Sequence, residues 1–171
     1  TVERARRYAR DARDALSSVS YPSGLAVSYS PNAFGHAMQV SSALGTHASA
    51  ISYYPNGQLK GFTAGNGYRT DLGQNSRLLP STLVSSLAIN GAVATAASLN
   101  HTYDVSGNTT DITDYRDGSQ SRHLSYDGLN RLRIANGPWG GGTFTYDARN
   151  NIVTKQLGSQ SLSYTNNATT G

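Results

Sequence analysis

The sequence predicts an all-β fold of antiparallel strand–turn–strand repeats, and three observations carry that expectation. The composition is strand-like and turn-rich. Only 14% of the 171 residues are charged, 18 are glycine, and 11 tyrosines outnumber the 3 phenylalanines and single tryptophan. Aromatic and β-branched residues favour strands, while Gly, Asn and Ser supply turns. Segments that open on tyrosine recur in one register, at Tyr103-Asp-Val-Ser-Gly-Asn-Thr109, Tyr126-Asp-Gly-Leu-Asn-Arg-Leu132 and Tyr146-Asp-Ala-Arg-Asn-Asn-Ile152. Runs such as Leu124-Ser125-Tyr126 and Thr143-Phe144-Thr145-Tyr146 alternate with the period of a strand that buries one face.

The recurring segment makes physical sense as a turn. Tyr103, Tyr126 and Tyr146 each end a strand, where the ring packs on neighbouring rungs and the hydroxyl reaches solvent or a partner. Asp104, Asp127 and Asp147 follow, and a carboxylate there accepts backbone N–H groups two or three residues on. Gly or Asn, as at Gly107, then takes a left-handed conformation that β-branched residues resist. Thr109, Leu132 and Ile152, each five residues after its aspartate, begin the returning strands. One such unit cannot stand alone, so stacking between units must supply the core.

In chain order, the first element is ambiguous. Val2, Ala5, Ala9, Ala12 and Leu16 fall at helical spacing, and the first sixteen residues hold five arginines. A basic helix there would point to nucleic acid or an anionic membrane surface. The repeat register favours strand–turn–strand over residues 5–21 instead. Asp11 precedes Leu16 by the interval that separates Asp127 from Leu132, and Tyr8 takes the place of the incoming tyrosine. Leu16-Ser-Ser-Val-Ser-Tyr21 alternates as the returning strand and ends at a Pro22-Ser-Gly turn. The arginines then form a solvated face.

Asn32 to Ala37 keeps the same interval, and Tyr53-Tyr-Pro-Asn-Gly-Gln-Leu59 puts Tyr54-Pro55 where the aspartate would be. The apolar stretch 83–99 is interrupted by Ser85-Ser86 and Asn90-Gly91, which argues against a membrane helix. Residues 80–100 read instead as an Ala/Ser-rich hairpin, because Asn90 and Gly91 both tolerate the positive φ of a type I′ turn. Residues 101–171 hold the regular repeats, ending in a weaker copy that opens at Tyr164. Residues 1–79, 80–100 and 101–171 are together expected to form one repeat domain.

These phrases resemble a known family. "SYDGLNRLRIANG" (125–137) and "TYDARNNIVT" (145–154) closely resemble the YD repeats of Rhs proteins, shared by teneurins and the C components of bacterial Tc toxins. "VSYPSGLAVSYSPNAFG" (19–35) and "ISYYPNGQLKGFTAGNGYRTD" (51–71) are similar to bacterial Rhs segments. Nearly the whole chain outside about residues 80–100 is covered. The resemblance implies that many such repeats spiral into a hollow β-shell, or cocoon, around a C-terminal toxin. It implies an internal stretch of wall, roughly seven or eight rungs, belonging to a bacterial protein that is secreted or displayed at the cell surface. Its partners would be the remainder of the shell or further copies through open strand edges, and the enclosed toxin polypeptide. Rhs shells typically end in an Asp-Pro self-cleavage motif. No proline here follows an aspartate, and neither that module nor a toxin is expected within this chain, which reads as a piece of something longer.

A search for chemistry points the same way. The absence of cysteine removes disulfides, thiolate catalysis and Cys-ligated zinc. The net charge of +4 is spread without a dedicated basic face, so nucleic acid is not an expected partner. His36, His47, His101 and His123 are scattered without metal-binding spacing. Asp111, Asp114 and Asp117 recur every third residue, but a calcium loop needs oxygens at alternate positions and a closing Glu. Asp117-Gly118 reads as a hairpin turn. Gly137-Pro-Trp-Gly-Gly-Gly142 lacks the Lys-Ser/Thr of a phosphate loop and reads as a mobile hairpin loop, with Trp139 packed on a neighbouring rung or exposed as a surface contact. No Gly-x-Ser-x-Gly elbow occurs. Asn100-His-Thr, Asn108-Thr-Thr and Asn167-Ala-Thr match the glycosylation pattern, as chance provides in an Asn-, Ser- and Thr-rich chain.

The expected function is therefore structural, with no catalytic, cofactor or metal residues. The alternative is a binding or adhesion module whose exposed tyrosines and Trp139 contact a glycan or protein partner, or a self-assembling repeat.

Overall fold

In a computed structural model, residues 5–165 are described, and they contain no α-helix. Fifteen strands follow one another: β1 (Arg7–Arg10), β2 (Leu16–Ser20), β3 (Ala26–Ser28), β4 (Val40–Ser42), β5 (Gly45–Tyr53), β6 (Leu59–Ala64), β7 (Arg69–Gln74), β8 (Pro80–Ile89), β9 (Ala92–Tyr103), β10 (Thr109–Asp114), β11 (Arg122–Tyr126), β12 (Leu132–Asn136), β13 (Gly142–Tyr146), β14 (Ile152–Leu157) and β15 (Gln160–Ser163). They form one open antiparallel sheet in sequence order. Short turns permit this, because antiparallel neighbours need only a few residues between them. Residues 5–21 are strand–turn–strand, so the helical spacing of the N-terminal alanines does not decide the structure.

Contacts divide the chain into two compact units. The first takes in the described residues up to Gly73 together with Leu83–Ala96, and the second Gln74–Thr82 with the described residues from Ala97. The β8–β9 hairpin thus gives its tip to one unit and its base to the other. Its turn falls at Asn90-Gly91, with φ of 51° and 82°.

Among the described residues only Val19, Ile51 and Ala135 are buried apolar side chains, and none is completely enclosed. Val19 of β2 lies opposite Tyr8 on one side and Val27 on the other. Ala135 of β12 lies opposite Leu124. The described residues form no α-helix and no second sheet, whereas most domains bury an apolar face between two layers. Order must therefore come from ladder hydrogen bonds and from what each turn does to the next.

One five-residue loop occurs nine times among the described residues, at 11–15, 21–25, 32–36, 54–58, 64–68, 75–79, 104–108, 127–131 and 147–151. In every copy the first N–H donates to the fifth carbonyl, and the fourth N–H donates to the first carbonyl. The fourth residue always has positive φ. It is Gly at five positions and Asn130, Asn150, Asp14 and Leu78 at the others. This is the three-residue hairpin connection, a tight turn closed by a left-handed residue. In eight copies the residues flanking the loop pair directly, and in five of these, Arg10 with Leu16, Tyr53 with Leu59, Tyr103 with Thr109, Tyr126 with Leu132, and Tyr146 with Ile152, the ladder shifts register just beyond the pair. The outgoing strand then skips one residue, a bulge that re-aims the side chains beyond it.

Candidate functional site

In six of the nine loops the side chain that opens the loop also closes it. Asp127 Oδ1 accepts the N–H groups of Leu129 at 2.9 Å and Arg131 at 3.1 Å. Asp147 does the same with Arg149 and Asn151, and Asp11 with Arg13 and Ala15. Asp104 accepts from the N–H of Asn108 at 2.9 Å. The carboxylate thus reaches donors two and four residues on, one step further than a simple Asx turn. Asn32 and Asn75 make the same pair of bonds, so a neutral amide oxygen suffices.

The remaining loops cap from their third residue. Asn56 Oδ1 accepts from Gln58 at 3.2 Å, and Asn66 Oδ1 from Tyr68 at 3.3 Å. Tyr-Pro-Ser-Gly, Tyr-Pro-Asn-Gly and Ala-Gly-Asn-Gly are therefore the same backbone loop as Asp-x-x-Gly, with the cap moved by two positions.

Side-chain hydrogen bonds hold the capping carboxyls below the usual carboxylate range. The leading cause is Arg131 for Asp127, Asn108 for Asp104, Asn151 for Asp147 and Arg13 for Asp11, each reinforced by backbone N–H groups and opposed by partial desolvation. A bond to the charged form favours that form.

The tyrosines join one loop to the next. Tyr146 Oη donates to Leu132 O at 2.8 Å, Tyr126 Oη to Thr109 O at 3.0 Å, and Tyr103 Oη to Pro80 O at 2.6 Å. In the first unit Tyr53 Oη donates to Ala37 O at 2.8 Å. All four bonds are the same relationship. The tyrosine immediately before one capped loop reaches the carbonyl of the residue that follows the preceding capped loop. The hydroxyl proton thus satisfies a backbone acceptor on the residue just beyond the loop, and at Thr109 and Leu132 this is where the outgoing strand bulges.

In the second unit the loops are also bonded side to side. Arg77 Nη1 donates to Asp104 O at 2.6 Å, Asn108 Nδ2 to Asn130 Oδ1 at 2.9 Å, and Arg131 Nη1 to Asn150 Oδ1 at 2.7 Å. Arg131 also pairs with Asp127 at 2.7 Å and lies 4.6 Å from the centre of the Tyr146 ring, within cation–π range. In the first unit His36 occupies the corresponding fifth position of its loop, and its ring lies 4.5 Å from that of Tyr53.

The sequence-predicted residues divide accordingly. Asp11, Tyr103, Asp104, Gly107, Tyr126, Asp127, Leu132, Tyr146, Asp147 and Ile152 all occupy loop or loop-flanking places. Tyr8 does not. The bulge pairs Arg10 with Leu16, so Arg10 takes the place before the loop, while Tyr8 pairs with Val19 and is 63% exposed. Tyr164 follows β15, and its N–H donates to Val153 O; residues 166–170 of its repeat lie outside the described residues. Trp139 donates its indole N–H to Ala135 O at 2.8 Å. Its loop is no loose glycine flap, because Gly137 and Gly140 exchange two backbone hydrogen bonds across Pro138-Trp139.

Two parts of the array are not visible in the tyrosine pattern. The 75–79 loop is capped by Asn75 but carries Leu78 at φ 62°, a position where the sequence offers no Gly or Asn. Residues 80–100, expected to fall outside the repeat, share its contacts, since Pro80 and Tyr103 hold the same bond as Leu132 and Tyr146. The aspartate triplet is spent locally. Asp111 binds His123 Nδ1 and Thr102 Oγ1, Asp114 accepts the N–H groups of Arg116 and Asp117, and Asp117 caps the 3₁₀ turn Gly118–Gln120.

No family model matches the sequence, and no curated protein matches it. Solved structures do. The crystal structure of TcdB2-TccC3-TEV matches with a TM-score of 0.78 at 17% identity, over 91% of this chain and 9% of that one. TcdB2-TccC3-Cdc42 matches equally, and TcdB2-TccC3 without its hypervariable C-terminal region matches at 0.77 and 16% identity over 90% of this chain. This chain spans 9% of the length of each. At such identity the likeness concerns the fold, which is that of a stretch of Rhs/YD-repeat β-shell.

Proposed function

We propose that this chain is a length of wall from a YD-repeat β-shell that encloses a C-terminal toxin in a secreted or surface-delivered bacterial protein, and that it carries out no reaction itself. The observation that carries the reading is the repeated bond from each loop-flanking tyrosine to the carbonyl beyond the previous loop. Such an array extends by repetition, each loop being completed by its neighbour, as a wall requires and a single active site does not. The partners are further shell strands and the enclosed polypeptide.

The test uses the full-length protein that contains this chain. Its C-terminal segment should resist protease while the wall is intact and become cleavable when Asp127→Ala and Asp147→Ala open two loops. Equal cleavage in both proteins would overturn the reading.

A second reading, a surface module that contacts glycans or a protein, has one observation in its favour. An open recess of about 600 Å³ is lined by Phe34, His36, Met38, Tyr53, Tyr54 and Pro55, with Phe34 85% exposed. Aromatic faces of this kind suit sugar rings and apolar side chains. Retention on a glycan array that is lost in Tyr54→Ala would support it, and absence of retention would count against it.

A further inference from the structure

We propose that Asn90 is a site of selective, non-enzymatic deamidation, and that the fold protects the chain's other Asn-Gly pairs from the same reaction. Four such pairs occur, Asn56-Gly57, Asn66-Gly67, Asn90-Gly91 and Asn136-Gly137. Glycine after asparagine makes all four chemically competent, because no Cβ hinders approach of the backbone nitrogen to the side-chain carbonyl. The structure separates them.

The reaction needs two free groups, the glycine nitrogen as nucleophile and the asparagine side chain as electrophile. At three pairs both are engaged. Gly57 N–H donates to Tyr54 O, Gly67 N–H to Ala64 O and Gly137 N–H to Gly140 O, at 2.8 to 3.0 Å. Asn56, Asn66 and Asn136 each hold their Oδ1 on a backbone N–H, from Gln58, Tyr68 and Gly142 respectively. Space is short as well. A Cβ built at Gly57, Gly67 or Gly137 would meet His36 at 3.6 Å, Leu87 at 3.1 Å or Trp139 at 2.9 Å.

Asn90-Gly91 lacks every one of these restraints. Among the described residues neither the Gly91 N–H nor the Asn90 side chain has a hydrogen-bond partner, and nothing lies within 4 Å of a Cβ built at Gly91. The pair forms the tip of the β8–β9 hairpin, and Ile89 beside it is 53% exposed.

The step balances without a cofactor. Hydroxide removes the Gly91 amide proton, the nitrogen attacks Cγ of Asn90, and the C–N bond to the side-chain amide breaks with release of ammonia. Water opens the resulting succinimide at either carbonyl, leaving aspartate or isoaspartate. Aspartate adds a negative charge at the tip. Isoaspartate adds a backbone atom to a two-residue turn and so shifts the pairing of β8 with β9.

The test is incubation of the folded chain in mildly alkaline buffer, with peptide mapping by mass spectrometry at intervals. A parallel incubation in denaturant reports the intrinsic reactivity of each pair. Each rate in the folded chain is divided by its rate in denaturant. That ratio should be about thirtyfold larger at Asn90 than at any other pair, the factor expected when two ordinary hydrogen bonds need not be opened first. Equal ratios at all four pairs, or a larger ratio elsewhere, would overturn the proposal.

Discussion

Tyr146 Oη donates to Leu132 O at 2.8 Å, and Leu132 is the residue that starts the strand leaving the loop capped by Asp127. Tyr126 and Thr109 repeat the relationship, as do Tyr103 with Pro80 and Tyr53 with Ala37. Tyrosine and aspartate are therefore joined in the repeat by two different tasks. The aspartate closes its own loop, and the tyrosine beside it fastens that loop to the one before.

Removing the hydroxyl isolates the second task. Tyr146→Phe keeps the ring over Arg131 but leaves Leu132 O without its donor, and should cost about 1 kcal/mol of stability. Tyr8→Phe should cost less than about 0.5 kcal/mol, as exposed positions generally do, because the Tyr8 hydroxyl has no hydrogen-bond partner among the described residues. Urea denaturation of the two variants provides the comparison. Equal losses would mean that tyrosine contributes through its ring alone.

Leu78 occupies the left-handed place that Gly, Asn or Asp fills in the other eight loops, at φ 62° and 54% exposed. Its side chain gains little there, and it lacks the short polar group with which Asn offsets the cost of that conformation by local hydrogen bonding. Leu78→Asn should therefore stabilise the chain by about 1 kcal/mol. Gly107→Leu, at φ 90°, should destabilise it by a similar amount, since an L side chain rarely adopts that conformation. Thermal melts of both variants would show opposite shifts, and a fall in melting temperature for Leu78→Asn would refute this assignment of strain.

The capping carboxyls and Tyr126 set opposite pH limits. The depressed values of Asp11, Asp104, Asp127 and Asp147 mean that the folded chain favours the ionised form. Their stabilisation is present above the ordinary carboxylate value, about 4, and is lost as pH falls through the lower folded values. Tyr126 behaves in the other direction. Desolvation first, and then the charge of Asp104, raise its phenol, so the folded chain favours the neutral hydroxyl. That contribution holds below about 10 and disappears as pH rises through the raised value. Denaturation midpoints should be level between these limits and decline beyond each. Asp127→Asn with Asp147→Asn should flatten the acid limb, because an amide cannot be titrated there. An unchanged acid limb in that variant would place the sensitivity elsewhere.

The pattern of residues by itself determined the strands, the places of the turns and the choice of capping side chain. These depend on chemistry within five residues: an Asp or Asn oxygen reaching nearby N–H groups, and a Gly or Asn able to take positive φ. Hence Asp104, Asp127, Asp147, Leu132 and Ile152 were legible, and so was the β8–β9 turn at Asn90-Gly91. Tertiary structure alone decided which tyrosine ties which loop. Those bonds join residues 14 to 23 apart in sequence, and their geometry depends on how successive hairpins stack. It also decided that Arg10 rather than Tyr8 flanks the first loop, because a one-residue bulge after Leu16 resets the pairing. Leu78 was hidden for a related reason. Its left-handed conformation is imposed by the Asn75 cap and the flanking strands, against its own preference.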